Sequence, residues 1–289
     1  MLDFITEPLQ YAFMQRSLIV AVVVGVICAV VGSYLMVQRL ALLGDAISHS
    51  VLPGLAIAFI LGINIFIGAF IAGLISTVCI NIIRNNSKIK EDAAMGIVFS
   101  AFFALGVTLI TVVQKENKID LNHFLFGNIL GVSLTEVRDT IIIAIFVLLI
   151  VFLFYKELLF YTFDKLGAES VGLPIKWLDT ALMILIGLTI VASLKAVGVI
   201  LVLSLLITPP STAYLLVDRL NQIMFVGILI GVISSMSGMY LSYYFNLPSG
   251  PAIVLVATGL FILSFLFSPS QGLITEYFRL KFVSKKTIS

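Results

Sequence analysis

Residues 17–37 read SLIVAVVVGVICAVVGSYLMV, a run of apolar and small residues without a single charged side chain. A helix needs about 20 such residues to cross the hydrocarbon core of a bilayer. The run therefore predicts a transmembrane helix near the start of the chain. Segments of the same kind recur to the other end of the sequence, so this pattern decides the fold class.

Nine segments are apolar enough to be candidate spans. They are 17–37, 40–61, 63–83, 93–113, 140–154, 178–194, 197–216, 223–244 and 252–267. Of the 289 residues, 61% are hydrophobic and 11% are charged, whereas soluble domains carry about 25% charged residues. The sequence predicts an all-α polytopic membrane protein, with residues 1–289 forming one transmembrane domain of eight or nine spans.

The distribution of Lys and Arg predicts the orientation of the chain. With nine spans, twelve of the 17 basic residues fall on the side of the C-terminus and five on the other side. Because cytoplasmic loops are enriched in Lys and Arg, we expect the C-terminus in the cytoplasm and the N-terminus outside. If 17–37 or 40–61 inserts only partly, the count becomes eight and the N-terminus moves inside.

The net charge of +2 and the lack of basic runs with interleaved aromatic residues give no sign of a nucleic-acid partner. Membrane lipid is the expected surrounding of nearly the whole chain.

The second candidate span contains the most informative polar residues. Residues 44–54 read GDAISHSVLPG, which places Asp45 and His49 four positions apart, on one face of a helix. A charged residue at bilayer depth costs roughly 2.5–3.5 kcal/mol on insertion scales and usually faces a protein interior or an aqueous path. A carboxylate and an imidazole are also suitable ligands for a divalent transition metal. We therefore expect Asp45 and His49 to line a metal-ion path; the alternative is a polar pair that only stabilises helix packing.

One chain supplies few ligands for such a path, because no other Asp, Glu or His lies well inside a candidate span. Two copies meeting at a two-fold axis would supply two carboxylates and two imidazoles, which water could complete. This small number of ligands per chain therefore predicts a homodimer with a central pore. His123, in the loop 114–139 expected outside, is a candidate external metal contact; the alternative is a solvated or packed loop histidine.

Two proline-containing sites are candidates for a gate or hinge. Pro53 and Gly54 follow the Asp–His pair directly, where they would kink or loosen the helix. Pro209 and Pro210 interrupt a later apolar segment, and we expect the helix to end or break there and to free carbonyl groups that line a path.

The loop 155–177 is expected in the cytoplasm and predicts a short helix between turns. Asp164, directly after Phe163, is a suitable N-cap, and Gly172 followed by Pro174 supplies a helix stop. The small side chains around Ala168 leave one side of this helix unobstructed. The pattern predicts a docking site for a partner.

No enzyme signature is found. The sequence contains no G-x-x-x-x-G-K-[ST] loop to hold ATP, no H-E-x-x-H zinc motif and no G-x-S-x-G nucleophile elbow. We expect no catalytic residues, no permanently bound cofactor and no enzymatic activity in this chain.

Over nearly its whole length the sequence resembles the permease subunits of bacterial ABC importers for manganese, zinc and iron. The strongest match is 42–49 (LLGDAISH) together with 52–54 (LPG). The supporting matches are 91–92 with 96–97, 126–130, 163–164 with Ala168 and Gly172, 197–209, and 246–251.

This resemblance implies the helical fold of ABC importers, with a dimeric transmembrane core in the bacterial plasma membrane. It implies that Asp45 and His49 coordinate the transported ion. The segment with Phe163, Asp164, Ala168 and Gly172 would be the coupling helix that docks on an ATP-binding subunit, present in two copies and alone in binding ATP. An extracytoplasmic metal-binding protein would deliver the ion.

The GDAISHxVLPG pattern is more similar to the manganese and iron branch of that family than to the zinc branch, and manganese is the favoured ion. Zinc is still a candidate for the transported ion, because a carboxylate–imidazole pair binds it well. One alternative function is a self-sufficient secondary transporter in which Asp45 carries a proton. A second is a membrane enzyme that uses the pair for acid–base chemistry, although no nucleophile is found to accompany it.

Overall fold

The structure is a computed structural model that describes residues 2–114 and 129–268, together with residue 272. Within these ranges every regular element is helical. The first half contains α1 (Leu2–Leu9), α2 (Ala12–Val37), α3 (Ala41–Ser50), α4 (Leu52–Ile60), α5 (Ile65–Asn86) and α6 (Glu91–Gln114). After the short 3₁₀ turn Ile129–Gly131 come α7 (Leu134–Leu153), α8 (Tyr155–Phe163), α9 (Lys165–Ser170), α10 (Ile175–Val197), α11 (Val199–Leu216), α12 (Leu220–Phe245) and α13 (Ser249–Phe267).

Eight of these elements are long and apolar enough to cross a membrane, with α3 and α4 counted together as Ala41–Ile60. The pair α7 and α8, which bends by 69° where the two helices meet, adds a ninth crossing if it forms one span. The predicted all-α bundle of eight or nine spans is confirmed.

Contacts at the ends of the bundle favour nine crossings. At the start of α2, the Ser17 hydroxyl donates to the carbonyl oxygen of Ile129, at 2.8 Å. Ser268, after the last helix, donates its hydroxyl to the carbonyl oxygen of Leu215, at the end of α11. The Ser211 hydroxyl near the end of α11 contacts the sulfur of Met36 at the end of α2, so these two helices end on the same face. The first span therefore begins on the face opposite to the one where the last span ends. An odd number of crossings follows, with the bent pair as one of them.

Helix α2 is at the centre of the bundle and packs against α7, α10, α11 and α12. Glycines allow some of these helices to approach closely. A Cβ atom on Gly25 would lie 3.2 Å from the carbonyl oxygen of Gly231 in α12. Small residues at helix contacts are typical of membrane bundles, where close packing replaces the hydrophobic effect as the source of stability.

The expectation that Pro209 and Pro210 end or break their helix is wrong, since α11 continues to Leu216. Proline removes the donors that would bond to the carbonyls four residues earlier. One of these, the carbonyl of Leu206, packs against Gly32 of α2, where a Cβ atom would lie 2.0 Å from the oxygen. A neighbouring helix therefore surrounds the freed carbonyl, and such an environment lets a membrane helix keep its prolines.

Candidate metal path

Asp45 and His49 lie on one face of α3, as their spacing predicted. The Nε2 atom of His49 is 3.6 Å from Oδ1 of Asp45. The His49 side chain is 25% exposed, and that of Asp45 is 53% exposed. A half-exposed carboxylate on a membrane-spanning helix calls for water, a cation or another protein surface beside it. The pair is therefore open on one side of the single chain.

Two aromatic rings of α6 hold the imidazole of His49. Its centroid lies 5.6 Å from that of Phe99 and 5.7 Å from that of Phe103, with edge-to-face geometry in both cases. The phenylalanines stack on each other at 5.7 Å. Their i, i+4 spacing puts them on one helix face, but nothing in the sequence pairs that face with α3. The rings leave His49 few orientations and keep Nε2 beside the carboxylate.

The pair has no third His, Cys, Asp or Glu ligand among residues 6–112 and 129–268. In this part of the chain, no group of three or more His, Cys, Asp or Glu side chains could hold a metal ion. The hydroxyls of Ser48 and Ser50 donate to the carbonyls of Gly44 and Ala46, at 2.8 and 2.6 Å. His123, the predicted external contact, lies outside the described residues.

The candidate gate at Pro53 and Gly54 follows a one-residue break at Val51, between α3 and α4. Two other helices pack tightly around it. A Cβ atom on Gly54 would lie 2.0 Å from the carbonyl oxygen of Gly68 in α5, and one on Gly106 in α6 would lie 2.6 Å from Cβ of Leu52. In this conformation α4 is therefore clamped between α5 and α6, and its role as a gate stays a prediction.

We expect Gly68→Ala to destabilise the protein by about 1–3 kcal/mol, because overpacking a close contact forces backbones apart. A Cβ atom there would lie 2.1 Å from the carbonyl oxygen of Gly54. The melting temperature of the purified protein in detergent measures the effect. Gly259→Ala is the control, since a Cβ atom on Gly259 meets nothing within 4 Å. Equal melting temperatures for the two variants would contradict the expectation.

The predicted short helix in the 155–177 loop is α9. As predicted, Asp164 caps it, accepting a hydrogen bond from the Gly167 amide at 2.8 Å. Gly172 follows it with φ of 87°, a backbone conformation that favours glycine.

Of the small residues expected to leave one side of α9 unobstructed, Ser170 is exposed and Gly167 is half-buried. Ala168 is fully buried. Leu166 is 80% and Val171 73% exposed, and Phe163 beside them is also exposed. We call Phe163, Leu166 and Val171 the α9 surface. Sequence reasoning missed Leu166 and Val171, although two large apolar residues in a polar loop were a usable signal.

Polar contacts tie α8 and α10 to α5 near the α9 surface. Asp179, at the start of α10, accepts hydrogen bonds from the Tyr161 hydroxyl and from the Arg84 guanidinium. The amide of Asn85 donates to the other carboxylate oxygen at 3.2 Å. Sequence reasoning placed Arg84 only in a basic loop and did not single out Asp179 or Tyr161.

Comparison with known proteins agrees with this architecture. The chain is 47% identical to the manganese transport system membrane protein MntC of Halalkalibacterium halodurans, over 96% of this chain and 94% of that protein. It is 43% identical to the chelated iron transport system membrane protein YfeD of Yersinia pestis, over 92% and 89%. Among solved structures, PsaBC from Streptococcus pneumoniae in complex with a Fab matches with a TM-score of 0.83 and 40% identity, over 96% of this chain and 99% of that one.

The fold is thus that of an ABC importer permease, and the chain is a multi-pass membrane protein. The profile of the ABC 3 transport family matches residues 10–268, nearly the whole sequence. This chain is a member of the ABC 3 transport family.

Proposed function

We propose that this chain is the permease subunit of an ATP-driven importer that moves a divalent transition-metal ion, preferentially manganese, into the cytoplasm. Two copies form the pore, and Asp45 and His49 of each copy are the ligands along it. The observation that carries this proposal is the half-exposed carboxylate beside an oriented imidazole on a membrane-spanning helix.

The dimer follows from the incomplete ligand set. Asp45 and His49 offer two donors on an open face, whereas transition metals usually take four to six. A second copy around a two-fold axis would bring the same pair to the same ion. It would also cover a carboxylate that is unfavourable against lipid.

The preference for manganese rests on the GDAISHxVLPG sequence and on the names of two relatives, one a manganese and one a chelated-iron system. Carboxylate and imidazole bind all the candidate ions, and manganese has the lowest intrinsic affinity among the divalent metals of this series. Selectivity in the pore therefore has to come from geometry and from the protein that delivers the ion. Binding should be moderate, because an ion held too tightly would not leave.

The energy comes from partner subunits in this proposal, and the chain itself catalyses no covalent step. Two copies of a cytoplasmic ATP-binding subunit dock on the α9 surfaces and bind the ATP. An extracytoplasmic metal-binding protein delivers the ion from the other side. This arrangement places the C-terminus in the cytoplasm and the chain in the bacterial plasma membrane, in line with the excess of Lys and Arg on that side.

Uptake of radioactive manganese into proteoliposomes containing the complete transporter tests this function. We expect uptake to require ATP at the cytoplasmic face, and excess manganese and iron to compete better than zinc. The alternative, a self-sufficient transporter in which Asp45 exchanges a proton for the metal, predicts uptake by this chain alone under a proton gradient. That result, without ATP or partner subunits, would overturn the proposal.

A further inference from the structure

The strongest buried polar cluster of the described residues lies away from Asp45 and His49. The side chains of Arg84 and Asp179 are only 7% and 6% exposed and contact each other directly. Tyr161, fully buried, donates its hydroxyl to the same carboxylate. We call these three residues the arginine cluster.

The arginine cluster joins three elements at one end of the bundle. Arg84 lies in the last turn of α5, Asp179 in the second turn of α10, and Tyr161 near the end of α8. Helix α9 follows α8 directly and packs against both α8 and α10. A force on the α9 surface therefore acts first on the two helices that hold Tyr161 and Asp179.

A second contact of Arg84 connects the arginine cluster to the helix that packs against His49. The Nε atom of Arg84 lies 3.6 Å from Oε1 of Glu91, the first residue of α6. The same helix carries Phe99 and Phe103, whose ring edges meet the imidazole of His49. A shift of α6 would thus change the orientation of the His49 ring.

One nitrogen of the cluster has no partner. Nη1 of Arg84 is buried and forms no hydrogen bond with residues 6–112 or 129–268. Buried polar networks define one arrangement firmly only when every group is satisfied. The guanidinium can therefore exchange partners when α5, α8 and α10 move relative to one another.

We propose that Arg84, Asp179 and Tyr161 are positioning residues that transmit movement of the α9 surface to His49 through Glu91 and α6. This inference rests on the function proposed above. It adds the path by which work done at the cytoplasmic face reaches the ion. The cluster touches neither the ion nor ATP, so its loss should lower the coupling between hydrolysis and transport rather than abolish either reaction.

The test measures manganese uptake and ATP hydrolysis in the same proteoliposomes, with the complete transporter. Tyr161→Phe removes one hydroxyl and keeps the ring, so the fold should be preserved. We expect the amount of manganese taken up per ATP to fall about five-fold or more, within the usual range of coupling between sites. Asp139→Asn is the control, because it weakens a polar contact between two helices, the 3.5 Å ion pair with Lys195, at the opposite end of the bundle.

A paired substitution separates coupling from simple stability. Asp179→Asn leaves a buried arginine without its carboxylate and should impair assembly, whereas Arg84→Met with Asp179→Leu removes both charges and should restore it. If the cluster only holds the fold, the double variant recovers the wild-type ratio of manganese to ATP. We expect assembly to recover and the ratio to stay low. If the double variant does not assemble, the ratio of manganese to ATP in Tyr161→Phe alone tests the role of the arginine cluster.

The wild-type and the Asp45→Asn transporter are measured in the same experiment. They distinguish the proposed function of the chain from the proposed role of the arginine cluster. No manganese uptake by the wild type would contradict the proposed function itself. Uptake that depends on Asp45 while Tyr161→Phe keeps the wild-type ratio would leave that function standing and overturn only the role of the arginine cluster.

Discussion

Asp45→Asn and His49→Ala should each reduce manganese uptake about 100-fold or more. In a symmetric dimer each substitution changes two of the four protein ligands: His49→Ala removes both imidazoles, and Asp45→Asn neutralises both carboxylates. Even residues that merely support a ligand contribute 10–100-fold to metal affinity. Asp45→Asn keeps the size of the side chain and removes only its charge. Uptake by proteoliposomes with equal amounts of assembled transporter measures the loss, and manganese binding by the detergent-solubilised complex should fall in parallel.

Ser48→Ala is the matched control for these variants. Ser48 lies on the same helix between the two candidate ligands, but its side chain is buried and its hydroxyl bonds to the carbonyl of Gly44. We expect this variant to transport at close to the wild-type rate. Full uptake by Asp45→Asn and His49→Ala would reduce the pair to packing residues and place the ion path elsewhere.

Leu166→Asp should detach the ATP-binding subunit. Leu166 is the most exposed residue of the α9 surface, on a helix that packs against α8 and α10. The few hot-spot residues near the centre of an interface cost about 2 kcal/mol or more when truncated, and a charge at such a position should weaken docking about 30-fold or more. Co-purification of the ATP-binding subunit with the tagged permease measures the loss, and ATP-driven uptake should disappear with it.

Leu134→Asp serves as the control for that experiment. Leu134 is 64% exposed at the start of α7, at the opposite end of the bundle from α9. The same substitution there should leave the ATP-binding subunit attached. Equal retention of the subunit by both variants would show that the α9 surface is not its docking site.

Much of the fold could be predicted because membrane helices follow from local composition. The runs around 17–37 and 252–267 are apolar throughout, and a bilayer imposes a fixed length on such segments. The bent crossing of α7 and α8 was less clear, since α7 begins with Glu136, Arg138 and Asp139 and its apolar part is short. The helix stop expected at Pro209 was wrong because packing against Gly32 is a contact between distant parts of the chain.

In the candidate site, too, the features within one helix could be predicted from the sequence and the contacts between helices could not. Spacing alone placed Asp45 and His49 on one face, and capping chemistry alone identified Asp164 as the start of a short helix. Their surroundings could not be predicted. Phe99 and Phe103 are ordinary apolar residues of a membrane helix until α6 packs against α3, and Tyr161 and Asp179 acquire a common partner only when α5 lies beside α8 and α10.

Local sequence features were enough to predict the membrane class, the number of spans to within one, the position of Asp45 and His49 on one helix face and the short helix of the 155–177 loop. Each of these depends on residues within a few positions of one another, where helix geometry and hydrophobicity act directly. The packing of the helices determines which side of α9 is exposed, which rings contact His49 and which carboxylate pairs with Arg84. Those features arise between helices far apart in the chain, and helix packing in a bilayer depends on shape complementarity that no local pattern records.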